Sequence, residues 1–206
     1  MSRIGRPREF DRATALRSAM HLFWEHGYEG TTLADLQKAM GGITAPSFYA
    51  AFGSKEDLFR ETVELYKTLR GEPPLKALTN GATARDSVEG MLQAAAASIC
   101  EKNNPRGCML VVGAINCAMP NKGIEDLLRE QRAAREKVIA QRLRRGVKEG
   151  DLPSSTDINA LASFYSSIID GMAIQAKDGA SPKALDNVVK CAMAAWDTIV
   201  QSNAKT

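Results

Sequence analysis

Few residues in this chain have types suited to covalent or acid–base chemistry, and their spacing limits what they can do. His21 and His26, the only histidines, lie five apart in one helical pattern, so they point in different directions and do not form an i, i+4 metal clamp. Cys100, Cys108, Cys117 and Cys191 lack C-x-x-C spacing and the density of a disulfide scaffold; they read as reduced thiols, and no metal site is expected. Cys108 is the sharpest chemical candidate. It follows Pro105-Arg106-Gly107 at an expected helix start, where the helix dipole and Arg106 would favour a thiolate. Two readings stay open for it: a buried structural cysteine, or a redox or electrophile sensor, with Cys100 across the Asn103-Asn104 loop as the partner if a disulfide forms. Cys117, nine residues on, falls half a turn out of phase with Cys108 on a helix. The chain contains no G-x-S-x-G, P-loop or G-x-G-x-x-G, so neither catalysis nor a cofactor is expected.

A different chemistry is offered by Arg3, Arg6 and Arg8, three guanidinium groups on a segment without apolar periodicity. That is the composition of an arm that runs along or into a DNA minor groove, the alternative being a solvated terminus. Any polyanion binding must be local, because Lys+Arg 27 against Asp+Glu 24 leaves a net charge of only +3. With 206 residues, 44% hydrophobic and 25% charged, the chain has enough material for a sizeable core and about two small domains. No run of 18 apolar residues and no apolar stretch behind the first residues is present, so no membrane span or signal peptide is read and the cytosol is the expected compartment.

These residues must be positioned by helices, because apolar residues return at helical spacing almost everywhere and strand-like alternation never persists. The expected fold class is all-α. Asp11 caps a first helix whose Leu16, Ala19, Met20, Phe23 and Trp24 form one stripe ending at Gly27. Thr31-Thr32 opens a short helix burying Leu33, Leu36 and Met40, and Gly41-Gly42 forces a turn. Thr44 caps a third helix with Phe48 and Phe52 inward, Gly53 stops it, and Ser54 starts a longer helix running toward Gly71-Glu72-Pro73-Pro74. That Gly/Pro break marks the expected domain boundary: residues 1–55 form an N-terminal domain with its Arg arm, 55–70 a linking helix, and 71–206 a second helical domain. Helices are expected there over about 84–101, 105–118, 124–149, 156–177 and 182–201.

The stretch from Thr32 to Phe52, with the helix before it, is a three-helix helix-turn-helix pattern, which places its second short helix in the major groove. Counting 100° per residue from Phe48, Pro46, Ser47 and Ala50 point away from the core, with Tyr49 on the flank. Thr31, Thr32, Thr44, Lys55 and the Tyr49 hydroxyl suit phosphate oxygens. No Arg, Asn or Gln lies on residues 45–52, so bidentate base readout is unavailable there and specificity would rest on Ser47, thymine methyls and groove shape.

The runs GRPREFD, Gly27-Tyr28 with Thr31-Thr32, and TAPSFYAAFGSKEDLF resemble the DNA-binding domain of TetR/AcrR-type transcriptional regulators. The resemblance extends, less specifically, to Arg106–Cys108 and to GMAIQAKDGASPKAL. It implies a homodimer on a near-palindromic double-stranded operator, most simply a repressor released by a small-molecule inducer held in the second domain. It also implies that Ala45 to Phe52 is the recognition helix, that Tyr49 and Lys55 contact phosphate, and that Thr31 or Thr32 anchors the preceding helix. Members usually place one glycine in the turn, whereas Gly41-Gly42 adds a residue and bears on the recognition-helix angle.

In the second domain, long apolar stripes that include Ile168, Gly171, Val189, Met193 and Trp196 exceed what one small core needs, which suggests a dimer interface. Met91, Ala95, Cys108, Val112, Phe164, Tyr165 and Met172 are the expected walls of an adaptable pocket for an apolar inducer. The rivals are a thiol-based regulator signalling through Cys108, a helical thiol enzyme, and a helix-turn-helix used only for protein contact, which leaves the Arg arm unexplained.

Overall fold

The computed structural model describes residues 11–202; Arg3, Arg6 and Arg8 lie outside the described residues. Among the described residues every regular element is helical. Helix α1 (Arg12–His26) is capped by Asp11, whose side chain accepts from the Ala13 N–H, and is closed by Gly27. Helices α2 (Leu33–Ala39) and α3 (Ala45–Phe52) follow, each started by a threonine that accepts a backbone N–H three residues on. Helix α4 (Lys55–Tyr66) then runs into α5 (Glu72–Asn80) through a π-helical turn, Lys67–Gly71. The Gly/Pro break expected at residues 71–74 therefore does not interrupt the helical path. Pro73 and Pro74 fall in the first turn of α5, where a missing N–H costs little, and the wider turn before them absorbs the register change.

Helices α6 (Ala84–Ile99), α7 (Met109–Val112), α8 (Lys122–Glu149), α9 (Ile158–Lys177), α10 (Pro182–Ala194) and α11 (Trp196–Ser202) complete the chain. Two departures from the sequence expectation have physical causes. The helix expected over 105–118 shrinks to the single turn α7, because its flanking backbone is bonded to the N-terminal helices instead. Trp24 Nε1–H donates to the Gly107 carbonyl (3.2 Å), and the Tyr28 N–H donates to the Gly113 carbonyl (2.8 Å). Gly107 holds φ +89, and a Cβ there would stand 2.9 Å from the Ala173 carbonyl oxygen, so only glycine allows this approach to α9. The last helix divides at Ala195, where the buried Tyr165 hydroxyl donates to the Ala192 carbonyl (3.2 Å), the acceptor that the Trp196 N–H would use in a continuous helix.

Two hydrophobic cores result. One joins α5, α6, α8, α9, α10 and α11 around Leu92, Leu143, Leu161, Tyr165 and Leu185. The other joins α1 to α4 around Trp24, Phe23, Phe48, Leu58 and Phe59, and it takes in Met109, Ala114, Ile124 and Leu128 from later in the chain. Cys108 packs against both. The second core is an aromatic cluster: Phe23 on Phe59, Tyr28 on Phe59 and Trp24 on Tyr66 are edge-to-face with centroids 5.0, 5.1 and 4.9 Å apart. Each such pair contributes about 0.5–1.5 kcal/mol beyond its buried area.

Three arginines of α8 act as struts, while Arg129, Arg144 and Arg145 stay on its exposed face, Arg129 and Arg145 in local pairs with Asp126 and Glu149. Arg132 donates to the Leu110 carbonyl, Arg135 reaches Ser166 and Asp170 on α9, and the buried Arg142 donates to Ser87 Oγ and the Gly81 carbonyl. Trp24→Phe strands the buried Gly107 carbonyl and leaves a small cavity where the larger indole packed. It should lower unfolding free energy by about 2–4 kcal/mol in urea denaturation, with the midpoint shifted and the slope unchanged.

Candidate functional site

The turn between α2 and α3 is built by backbone hydrogen bonds at the end of α2. The Gly42 N–H donates to the Gln37 carbonyl (2.9 Å) and the Gly41 N–H to the Lys38 carbonyl (3.2 Å), a Schellman closure. Both glycines have positive φ, +89 and +80, and a Cβ at either would meet nothing within 4 Å. Conformation alone therefore demands glycine here. Ile43 packs on the N-terminal core beneath the turn.

Thr44 accepts the Ser47 N–H and donates its hydroxyl hydrogen to Ser47 Oγ (2.9 Å), fixing the first turn of α3. Phe48 and Phe52 are buried, whereas Pro46, Ser47, Tyr49 and Ala50 are exposed and Ala45 is half-buried. Tyr49 is 51% exposed, its ring edge-on to Phe48. Lys55 at the start of α4 lies with Nζ 4.2 Å from the Tyr28 ring centre, and partial burial holds its pKa below the usual lysine value against the pull of Glu29.

The two threonines before α2 divide. Thr32 is exposed and closes a capping box with Asp35, whose carboxylate is held below its usual pKa by the Thr32 hydroxyl and N–H. Thr31 is 1% exposed and donates its hydroxyl hydrogen to the Gly27 carbonyl (2.7 Å), so it braces the α1 end and is unavailable to a phosphate.

A cavity of about 450 Å³ opens where the π turn, α5, α6, α8 and α9 meet. Of the expected wall residues, Met91, Ala95 and Cys108 line it. Val112, Phe164, Tyr165 and Met172 do not: Tyr165 and Met172 are fully buried in the C-terminal core, and Phe164 packs against that core from outside. The sequence reading missed Tyr66, Leu75, Leu78, Leu110, Gln131, Arg135, Val138 and Ile169, which arrive from separate elements and share no local pattern. At the floor the buried Tyr66 hydroxyl meets the Cys108 thiol and the Met109 N–H, and burial raises its pKa well above the usual tyrosine value.

The features expected to activate Cys108 are arranged otherwise. Arg106 extends toward Cys100 Sγ (3.5 Å) and the Ala180 carbonyl, and α7 offers one turn of dipole. Cys117 lies off any helix, its pKa raised by burial and by Glu29 and Glu125. All four cysteines are free.

Three residues expected at a dimer face, Val189, Met193 and Trp196, are 2%, 5% and 4% exposed and belong to the chain's own core. The outward stripe consists instead of the half-buried Phe164, Ile168 and Gly171 with exposed Ile174 on α9, beside Val188 and Cys191 on α10 and Ala195 just past its end.

A helix-turn-helix head with an exposed second helix, joined by one helical path to a domain with an apolar cavity, defines a two-domain helix-turn-helix regulator. Residues 15–62 match the model of bacterial regulatory proteins of the TetR family, and residues 84–192 match a tetracyclin repressor-like C-terminal domain. The chain belongs to the TetR family of transcriptional regulators. It is 33% identical to the HTH-type transcriptional repressor ComR of Escherichia coli (strain K12) over 198 residues, 96% of this chain and 94% of the relative. A cysteine-substituted form of the TetR family regulator CifR, solved with a 26-base-pair operator duplex, is 41% identical with a TM-score of 0.89, covering 93% of this chain and all of that one. The reduced form of E. coli NemR, 21% identical, covers 88% of this chain and 94% of its own with a TM-score of 0.70, a likeness of fold.

Because a methyl at either turn glycine meets open space, Gly41→Ala and Gly42→Ala isolate the cost of positive φ. Each should destabilise the head by about 1–2 kcal/mol, read as a lowered thermal midpoint.

Proposed function

We propose that this chain is a repressor that binds a near-palindromic operator as a homodimer and is released by a small molecule entering the cavity. The observation that carries the reading is the face of α3: Pro46, Ser47, Tyr49 and Ala50 stand free while Phe48 and Phe52 anchor the helix from behind. Thr32, Thr44, Tyr49 and Lys55 supply hydroxyls and a cation for phosphates around it, with Arg3, Arg6 and Arg8 ahead of α1 as the minor-groove arm. Similarity to the repressor ComR and to CifR, solved on an operator duplex, supports the same reading.

Dimerisation is assigned to the Phe164–Ile168–Gly171 stripe of α9 with Val188 and Cys191 of α10, since two heads must be held at the spacing of successive major grooves, about 34–36 Å. Among the described residues no helix is long and apolar enough to cross a membrane, which fits a cytoplasmic regulator. The reading includes no catalytic activity: neither histidine lies on the cavity wall beside Cys108.

A second reading, sensing through the Cys108 thiol, is favoured by one observation: Cys108 lines the cavity and packs against both cores. Alkylation that abolishes DNA binding in the wild type and spares Cys108→Ser would support it. Equal loss in both would remove it.

The main test is a mobility shift with duplex DNA from the upstream region of its own gene at two salt concentrations. A salt-sensitive complex of two protomers is expected, with Tyr49→Ala weakening it about ten-fold, about 1.4 kcal/mol. Ile168→Asp should give a folded monomer by sedimentation and lose the complex. Absence of any sequence preference, there and in random-sequence selection, contradicts the proposal.

A further inference from the structure

The walls of the cavity carry ionised side chains, yet each of them already has a partner of opposite charge. Arg135 Nη2 lies 2.6 Å from Asp170 and donates to Ser166 Oγ (3.0 Å). Arg70 pairs with Glu101 and rests over the Trp24 ring. Lys67 meets Glu64 at 2.9 Å, and Glu72 meets Lys76 at 2.7 Å. The remaining wall is mostly aliphatic, Leu75, Leu78, Met91, Ile99, Leu110 and Val138 among it.

A charged ligand entering such a space loses its hydration and finds no counter-charge to replace it, so an ionic head group is selected against while an apolar body is favoured. Three polar groups of the wall stand available: among the described residues the Gln131 carboxamide and the Ser98 hydroxyl make no hydrogen bond, each able to donate and to accept, and the buried Arg135 Nε–H has no acceptor. Arg135 is the pivotal cation because its charge is cancelled by one residue, Asp170, which does not itself line the cavity.

We infer that the cavity takes an uncharged, largely apolar molecule carrying a few neutral hydrogen-bonding groups, and that the Arg135–Asp170 pair sets the selection against charge. The inference rests on the reading of the cavity as the ligand site.

The test compares two fluorescent probes with the same aromatic skeleton on the full-length protein: uncharged N-phenyl-naphthylamine and anilinonaphthalene sulfonate, which adds one anionic group. The neutral probe is expected to bind once per chain and at least about ten-fold more tightly than the sulfonate. Ala95→Phe, which fills the cavity, should abolish neutral-probe binding. Leu75→Trp, at a 46% exposed position of the mouth that tolerates bulk, should weaken it if the first variant fails to fold. Asp170→Asn retains a hydrogen-bond acceptor for Arg135 but frees its charge, so sulfonate binding should rise about ten-fold while the neutral probe changes little.

Sulfonate binding that equals or exceeds neutral binding in the wild type and is blocked by the cavity variants overturns the inference but leaves the ligand site standing. An unchanged probe ratio in Asp170→Asn overturns the role of the pair. If neither probe responds to the cavity variants, the cavity is not a ligand site and both readings fall. Normal probe binding without effect on operator binding sinks only the regulatory reading.

Discussion

The hydrogen bond from the Trp24 indole to the Gly107 carbonyl is the constraint around which the molecule is arranged. It ties the helix that carries the head to the loop that forms the cavity floor. The same tryptophan stacks edge-on against Tyr66, the last α-helical residue before the π turn, and the Tyr66 hydroxyl lies against Cys108 and the Met109 N–H. Head, linking helix and cavity floor therefore share one buried cluster rather than meeting at a polar domain interface. A second line of contacts reinforces it: Lys177 of α9 donates to the Glu25 carbonyl, and Glu29 accepts from the Ala118 N–H and from Asn121.

This continuity links the cavity wall to the exposed helix α3. The π turn lies in the cavity wall and is a wider, less regular helical segment between two α-helical stretches. A molecule seated against Lys67–Gly71 and Tyr66 would press on the end of α4, and α4 shares a core with α1 and α3. The head's own rigidity comes from local devices, the threonine caps, the Schellman turn and the Phe48–Phe52 anchor, so a displacement of α4 would carry α3 as a unit rather than deform it.

The head was legible in the sequence because its determinants are local. Caps fall within three residues of the N–H groups they accept from, the turn is marked by paired glycines, and Phe48 and Phe52 are one turn apart. The all-α class followed from periodicity for the same reason. The C-terminal domain was less legible where long-range bonds outvote propensity. Nothing near residue 105 announces that Trp24 will claim the Gly107 carbonyl, and nothing near residue 192 announces the Tyr165 hydroxyl. The apolar stripes of α9 and α10 were visible, but periodicity does not say which edge of a wide stripe faces inward; Val189, Met193 and Trp196 turned out to be the inner edge. The cavity drew on seven separate elements, and nothing local in the sequence assigned Gln131 or Arg135 of the arginine-rich helix to its wall.

The account stands or falls on α3 as the DNA-reading element, and the most direct measurement is a crystal structure of the full chain with an operator duplex obtained by selection. It predicts two chains per site, α3 of each in a major groove, with Pro46, Ser47 and Ala50 toward the base edges and the Tyr49 hydroxyl on a phosphate. A complex in which α3 faces away from the duplex, or packs on protein while another surface holds the DNA, would contradict it.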